Sequence, residues 1–147
     1  MRALFDVNML LALFDPEHIH HAPAFAWWTQ NRESGWASCP LTQNGFVRVI
    51  SGRGYARPRS IADAMAVLRG QIAQPGHVFW PDDISIADLQ VFDHRHLLGT
   101  KQITNAYLLA LAVRNGCRLA TMDRGVTLHA VRGAEPRHLA IVGEVTM

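Results

Sequence analysis

Short apolar runs alternate along this chain with stretches in which apolar residues recur every three or four positions. The runs at 2–6, 35–39, 77–80, 118–122 and 138–142 read as strands. The periodic stretches at 9–14, 20–33, 41–50, 61–73, 85–96 and 105–115 read as helices. Punctuation agrees with this division. Asp15-Pro16 stops the first helix, Pro40 suits the first turn of the third, and Asn115-Gly116 ends the last. Asn8 or a neighbour is expected to cap the first helix, Ser60 the fourth and Thr104 the last. Residues 51–58, broken by Gly52, Gly54 and Pro58, form a loop. Strands alternating with helices imply a parallel sheet covered on both faces.

Two strands end on an acid. Asp6 follows Ala3-Leu4-Phe5, and Asp123 follows Leu119-Ala120-Thr121-Met122. In open parallel α/β sheets, ligands bind in the crevice beyond the carboxyl ends of the strands. Two carboxylates delivered there repel one another, and a hard divalent cation such as Mg2+ relieves the repulsion. Asn105, in the first turn of the last helix, offers a third oxygen without charge. Each of these residues has a plainer reading, in which it caps the neighbouring helix. Asn8 likewise either caps or lines the same crevice.

Composition narrows the field. The chain has 147 residues, 49% hydrophobic and 18% charged, as expected of one globular domain, here 1–147. No apolar run is long enough to span a bilayer, and Asp6 and Asn8 interrupt the stretch a secretory signal needs. A cytoplasmic location is expected, with Cys39 and Cys117 as two buried free thiols. The net charge of +2 does not by itself argue for nucleic acid. Its distribution is more telling, because Arg carries nearly all the positive charge and Lys occurs only at Lys101. Arg53, Tyr55, Arg57 and Arg59 share one glycine-containing loop that could grip a phosphate backbone and stack a base, or stand as a solvated loop. Arg48 and Arg124 are further phosphate candidates. His18, His20 and His21 lack zinc-ligand spacing and read as a polar turn, and Trp27, Trp28, Phe46 and Trp80 as core or interface.

These residues, taken in order, resemble a known family. Leu4-Phe5-Asp6-Val7-Asn8, Pro40 to Arg48, Thr104-Asn105-Ala106-Tyr107 with the apolar run behind it, and Thr121-Met122-Asp123-Arg124 look like a PIN domain, most closely the VapC-type toxins of bacterial toxin–antitoxin pairs. The resemblance covers nearly the whole chain. It implies an α/β/α sandwich around a parallel sheet of about five strands and an endoribonuclease dependent on Mg2+ or Mn2+. It also implies a homodimer and a cognate antitoxin, through which operator DNA is reached. On it Asp6, Asp123 and Asn105 become the metal and catalytic residues, with Asn8 and Thr104 supporting them. Arg48, Arg53, Tyr55, Arg57 and Arg124 become RNA contacts.

Two departures stand out. Many members of the family carry Asp where this chain has Asn105, and Glu near Gly45, where Gln43 and Asn44 offer no charge. Asp82 and Asp83 could supply a carboxylate from elsewhere. A PIN domain weakened in catalysis, working by binding RNA or antitoxin, is the second reading. An unrelated phosphatase or nucleotide-binding domain lacks the glycine-rich phosphate loop it would need.

Overall fold

The computed structural model describes residues 1–143. Five strands form one all-parallel sheet in the order β3-β2-β1-β4-β5, comprising β1 (Ala3–Phe5), β2 (Trp36–Ser38), β3 (His77–Phe79), β4 (Arg118–Thr121) and β5 (Leu139–Ile141). Five α-helices are seen among the described residues: α1 (Val7–Phe14), α2 (His21–Asn31), α3 (Pro40–Ile50), α4 (Ile61–Ile72) and α5 (Gln102–Arg114). The chain builds outward from β1 in one direction through β2 to β3, then returns to β1's other side with β4 and β5. The topological switch point therefore lies between β1 and β4, where ligand crevices form in such sheets.

Both faces of the sheet are covered, giving the three-layer α/β/α sandwich that the resemblance implied. Alternation along β1 decides which side chain goes where. Ala3 and Phe5 point to the layer of α1 to α4, where Met9, Leu10, Phe46, Ile50 and Leu68 pack. Leu4 points the other way, toward Leu108, Leu109, Leu111, Phe92 and Val131. Phe5 is the hub of the first layer. Its ring stacks on Trp36 at 5.3 Å and meets the edges of Trp27 and Trp28 at 6.1 and 5.7 Å. Full burial of a side chain of this size contributes about 1.5–3 kcal/mol. Trp36 and Trp80 are buried, whereas Trp27 and Trp28 pack half-buried against the core.

Gly45 lets two helices meet. A Cβ there would lie 2.5 Å from Val7 Cγ2, so α3 could not approach α1 as closely. That contact outweighs the roughly 1 kcal/mol that glycine costs inside a helix. Because α1 begins directly after Asp6, its position fixes the site described below.

Four expectations are corrected. Residues 85–96 are not a helix but successive turns closed by a short 3-10 segment, His94–His96. Ser85 Oγ accepts from the Ala87 N–H at 3.1 Å, and Asp88 Oδ1 from the Gln90 N–H at 2.9 Å. Side chains that capture backbone donors in this way compete with the helical ladder. The first helix starts at Val7 and is capped by Asp6, which places Asn8 inside its first turn. The last helix starts at Gln102, so Thr104 lies within it rather than capping it. Cys117 is only half-buried, while Cys39 is fully buried and its thiol is pushed up to about 11, chiefly by burial. Among the described residues, no helix is long and apolar enough to cross a membrane.

Candidate active site

Asp6 is the first residue beyond β1 and the N-cap of α1. Its Oδ1 accepts the Met9 N–H at 2.8 Å, satisfying one of the donors a helix start leaves unpaired. Its Oδ2 accepts the Thr121 hydroxyl at 2.5 Å. Phe5 pairs with Ala120, so the next residues on each strand, Asp6 and Thr121, come side by side at the carboxyl end of the sheet. Thr121 is completely buried and faces both ways, because its oxygen also accepts the Asp123 N–H at 3.0 Å. One hydroxyl therefore sets the position of both aspartates.

Asp123 is half-buried and held on both carboxylate oxygens. Oδ1 accepts the Gly125 N–H at 2.7 Å, and Oδ2 accepts the Asn105 side-chain amide at 2.8 Å. The same amide lies 3.4 Å from Gln102 Oε1. Gly125 permits this closeness, since a Cβ there would lie 3.1 Å from Asp123 Oδ1 and 2.9 Å from Gln102 Nε2. The result is a continuous polar chain, Asp6–Thr121–Asp123–Asn105–Gln102, across the switch point.

The electrostatics are those of a site short of positive charge. Asp6 is only 4% exposed, and burial lifts its pKa from 3.8 to about 6, against the lowering effect of its bonds from Thr121 and Met9; the Asp123 charge lifts it further. Neither aspartate takes part in an ion pair among the described residues. A desolvated carboxylate beside a second one, with no protein cation, suits a hard divalent ion. The donor set is lean, because no group of three or more His, Cys, Asp or Glu side chains gathers among the described residues. Two carboxylates and the Asn105 carbonyl oxygen are the oxygens on offer.

The other candidates fall in several places. Asn8 lines a cavity of about 440 Å³ with His18, Ile19, His20, Met122 and Asp123, and so joins the site. Arg124 is exposed beside Asp123. Arg48 lies apart, on a groove between α3 and α4 with Gln43, Asn44, Ile61 and Met65. Arg53 is exposed in the 51–59 loop. The rest of that loop is fastened down. Tyr55 donates its hydroxyl to Asp15 at 2.5 Å, Arg59 pairs with Asp15 at 3.1 Å, and Arg57 pairs with Glu17. Asp82 caps α3 through the Leu41 N–H at 2.9 Å and Asp83 pairs with Arg114, so both are committed elsewhere. Sequence reasoning missed Thr121 and Gln102. The signal for Thr121 was a hydroxyl ending an otherwise apolar strand two residues before a candidate ligand.

Known proteins extend this picture. No family model matches the chain. It is 51% identical over 140 residues to Ribonuclease VapC44 of Mycobacterium tuberculosis, an overlap spanning 95% of this chain and 99% of that protein. The chain belongs to the VapC ribonuclease family. Ribonuclease VapC38 of the same organism is 45% identical over 142 residues, covering 95% of this chain and 99% of its own, and Ribonuclease VapC39 is 40% identical over 134 residues, covering 90% and 96%.

The raised pKa of Asp6 has a measurable consequence in this VapC chain. Between pH 4 and 6 the unfolded Asp6 has lost its proton while the folded one keeps it. Stability contributed by the protonated form is therefore present below about pH 4 and lost as pH rises through about 6. The loss amounts to roughly 3 kcal/mol. Urea unfolding at a series of pH values, without divalent ions, should show wild type falling by this amount relative to Asp6→Asn between pH 4 and 7. Parallel curves for the two proteins would refute it.

Proposed function

We propose that this VapC chain is an endoribonuclease dependent on Mg2+ or Mn2+, and the toxin of a toxin–antitoxin pair. The observation that carries the reading is the pair Asp6 and Asp123, joined through Thr121 at the switch point of the sheet. The ribonuclease names of relatives up to 51% identical support the substrate class. Asp6 and Asp123 would hold the ion, with Asn105 contributing its carbonyl oxygen. When bound, the ion supplies the positive charge that activates water and stabilises a phosphoryl oxygen.

The protein's own groups divide the remaining work. Thr121 orients Asp6 through a hydrogen bond to Oδ2 and restrains the backbone of Asp123. Asn105 aims Asp123 from one side and the Gly125 N–H from the other. Asn8 reaches the cavity mouth from α1. Exposed Arg124, Arg48 and Arg53 attract the phosphate backbone, positioning RNA without reading its sequence. Tyr55 and Arg57 border a second cavity with His18 and Ile19. Its partners on this reading are RNA, a second copy of the chain and a cognate antitoxin, with operator DNA reached only through the antitoxin.

The missing acid at position 105 favours a second reading, a weakened nuclease that acts by binding. The test is cleavage of structured RNA in added magnesium or manganese. Cleavage that appears with either ion and stops with EDTA is the expected result. Tight RNA or antitoxin binding with no cleavage in either ion would replace the first reading with the second.

A further inference from the structure

The segment joining α1 to α2 carries His18 and His20, and His21 opens α2 with a clear structural task. His21 Nδ1 lies 2.8 Å from the Ala12 carbonyl oxygen, and its ring stacks on Phe25 at 5.7 Å. The other two do not serve the core. The Nδ1 of His18 accepts the His20 N–H at 3.0 Å, which leaves the proton of the neutral ring on Nε2. Burial and the neighbouring His20 both hold the His18 pKa below its ordinary value. His20 precedes α2, is exposed, and makes no capping bond with its side chain. The two rings lie 5.6 Å apart. Between them stands Ile19, 86% exposed.

An isoleucine this exposed in a loose loop would mean little. This loop is fixed. The His18 N–H donates to the Asp15 carbonyl at 3.0 Å, the Glu17 N–H to Asp15 Oδ1 at 3.0 Å, and the Asp15 carboxylate is clamped by Tyr55 and Arg59. The anchored turn presents His18, Ile19 and His20 on the wall of the cavity of about 440 Å³ that also contains Asp123, Met122 and Asn8. That volume is in the range of small-ligand clefts, about 300–1,000 Å³. Flat imidazoles and an exposed apolar side chain beside a phosphate-cleaving centre are the elements that receive an unstacked base.

We infer that the His18-Ile19-His20 turn is the base-contacting lip of the active site, against which the nucleotide next to the scissile phosphate seats. His20 and Ile19 pack on the face of the base, and His18 donates from Nε2 to its edge or ribose. The inference rests on the ribonuclease reading for the cut, but the contact itself is to single-stranded RNA. Stacking tolerates any base, whereas the His18 donor and the Asn8 amide discriminate. A base preference at one position flanking the cut follows.

The test uses the full chain with Ile19→Ala, His20→Ala, His18→Ala and the triple variant, each checked for an unchanged thermal midpoint. Binding is measured by fluorescence anisotropy of a labelled single-stranded RNA hexamer in EDTA. Cleavage is profiled on a randomised RNA pool with magnesium. The expected result is Kd and KM raised about tenfold by His20→Ala, with kcat within about twofold and the base preference flattened. His20→Phe, which keeps a stacking face, should restore Kd. If wild type does not cleave but the variants still lose hexamer affinity, the nuclease reading fails and the lip stands. Unchanged Kd and an unchanged cleavage profile in the triple variant would overturn it, as would a wild type that binds no hexamer.

Discussion

Asp6→Asn is expected to lower metal-dependent RNA cleavage by about three orders of magnitude, some 4 kcal/mol of transition-state stabilisation. Near neutral pH and without metal the thermal midpoint should rise by several degrees, because the variant escapes the cost of ionising a buried carboxylate. Asn is the informative substitution because Asp6 holds two jobs. Its Oδ1 caps α1 through Met9 and its Oδ2 receives the buried Thr121 hydroxyl. An amide keeps an acceptor for the helix start and offers a polar partner to Thr121, so only the charge is lost. Alanine would remove the cap, costing about 1 kcal/mol, and leave Thr121 without its acceptor, costing about 1–3 kcal/mol more. A dead Asp6→Ala protein would therefore confuse misfolding with lost chemistry. Unimpaired cleavage by Asp6→Asn, in RNA digests read on a gel alongside unfolding curves, would remove Asp6 from the centre of the reaction.

Much of this architecture can be read from residue patterns because the central strands β1, β2 and β4 are buried on both faces. Leu119-Ala120 and Ala3-Leu4-Phe5 have no polar side to blur them, and every strand was found close to its expected place. The segment 85–96 misled for a physical reason. Ile86, Leu89 and Phe92 fall at helical spacing, yet Ile86 and Leu89 are exposed, and only Phe92 enters the core, where it bridges to Val131. Ser85, Asp88 and Asp93 settle the matter by taking backbone N–H groups that a helix needs. At the site, the two aspartates could be suspected from their strand ends. Their common tie to Thr121 could not, because it depends on β1 and β4 being neighbours, and strand order is not written in local pattern. A threonine at the end of a strand reads as an ordinary β-branched residue until its hydroxyl is seen between two carboxylates. The arginine-rich loop shows the reverse. Its composition allowed a phosphate grip or a solvated loop, and neither reading foresaw that Tyr55 and Arg59 engage Asp15 and that Arg57 pairs with Glu17, with Arg53 exposed.

Asn105→Asp should convert the site from one that tolerates the absence of metal into one that demands it. The Asn105 amide now donates to Asp123 Oδ2 at 2.8 Å, a hydrogen bond that holds the carboxylate in place without any cation. An aspartate at 105 would replace that donor with a second acceptor. Two carboxylates at this separation cannot both ionise cheaply, so without metal one of them takes up a proton. Lost hydrogen bonding and repulsion together should cost about 1–2 kcal/mol, or roughly 3–5 °C in the thermal midpoint in EDTA. Magnesium reverses the sign. Three charged ligands in place of two should tighten its binding by roughly ten- to a hundredfold, and ligand linkage then returns the lost stability as the ion is added. The variant should thus melt below wild type in EDTA and gain more from magnesium, with cleavage rising at low magnesium concentration. Asn105→Ala separates the two contributions, since it loses the donor to Asp123 without adding charge. It should be destabilised in EDTA yet gain no magnesium affinity. Calorimetric titration of magnesium into the three proteins decides the point: equal affinities would mean that position 105 does not contact the ion, and that the amide serves only to aim Asp123.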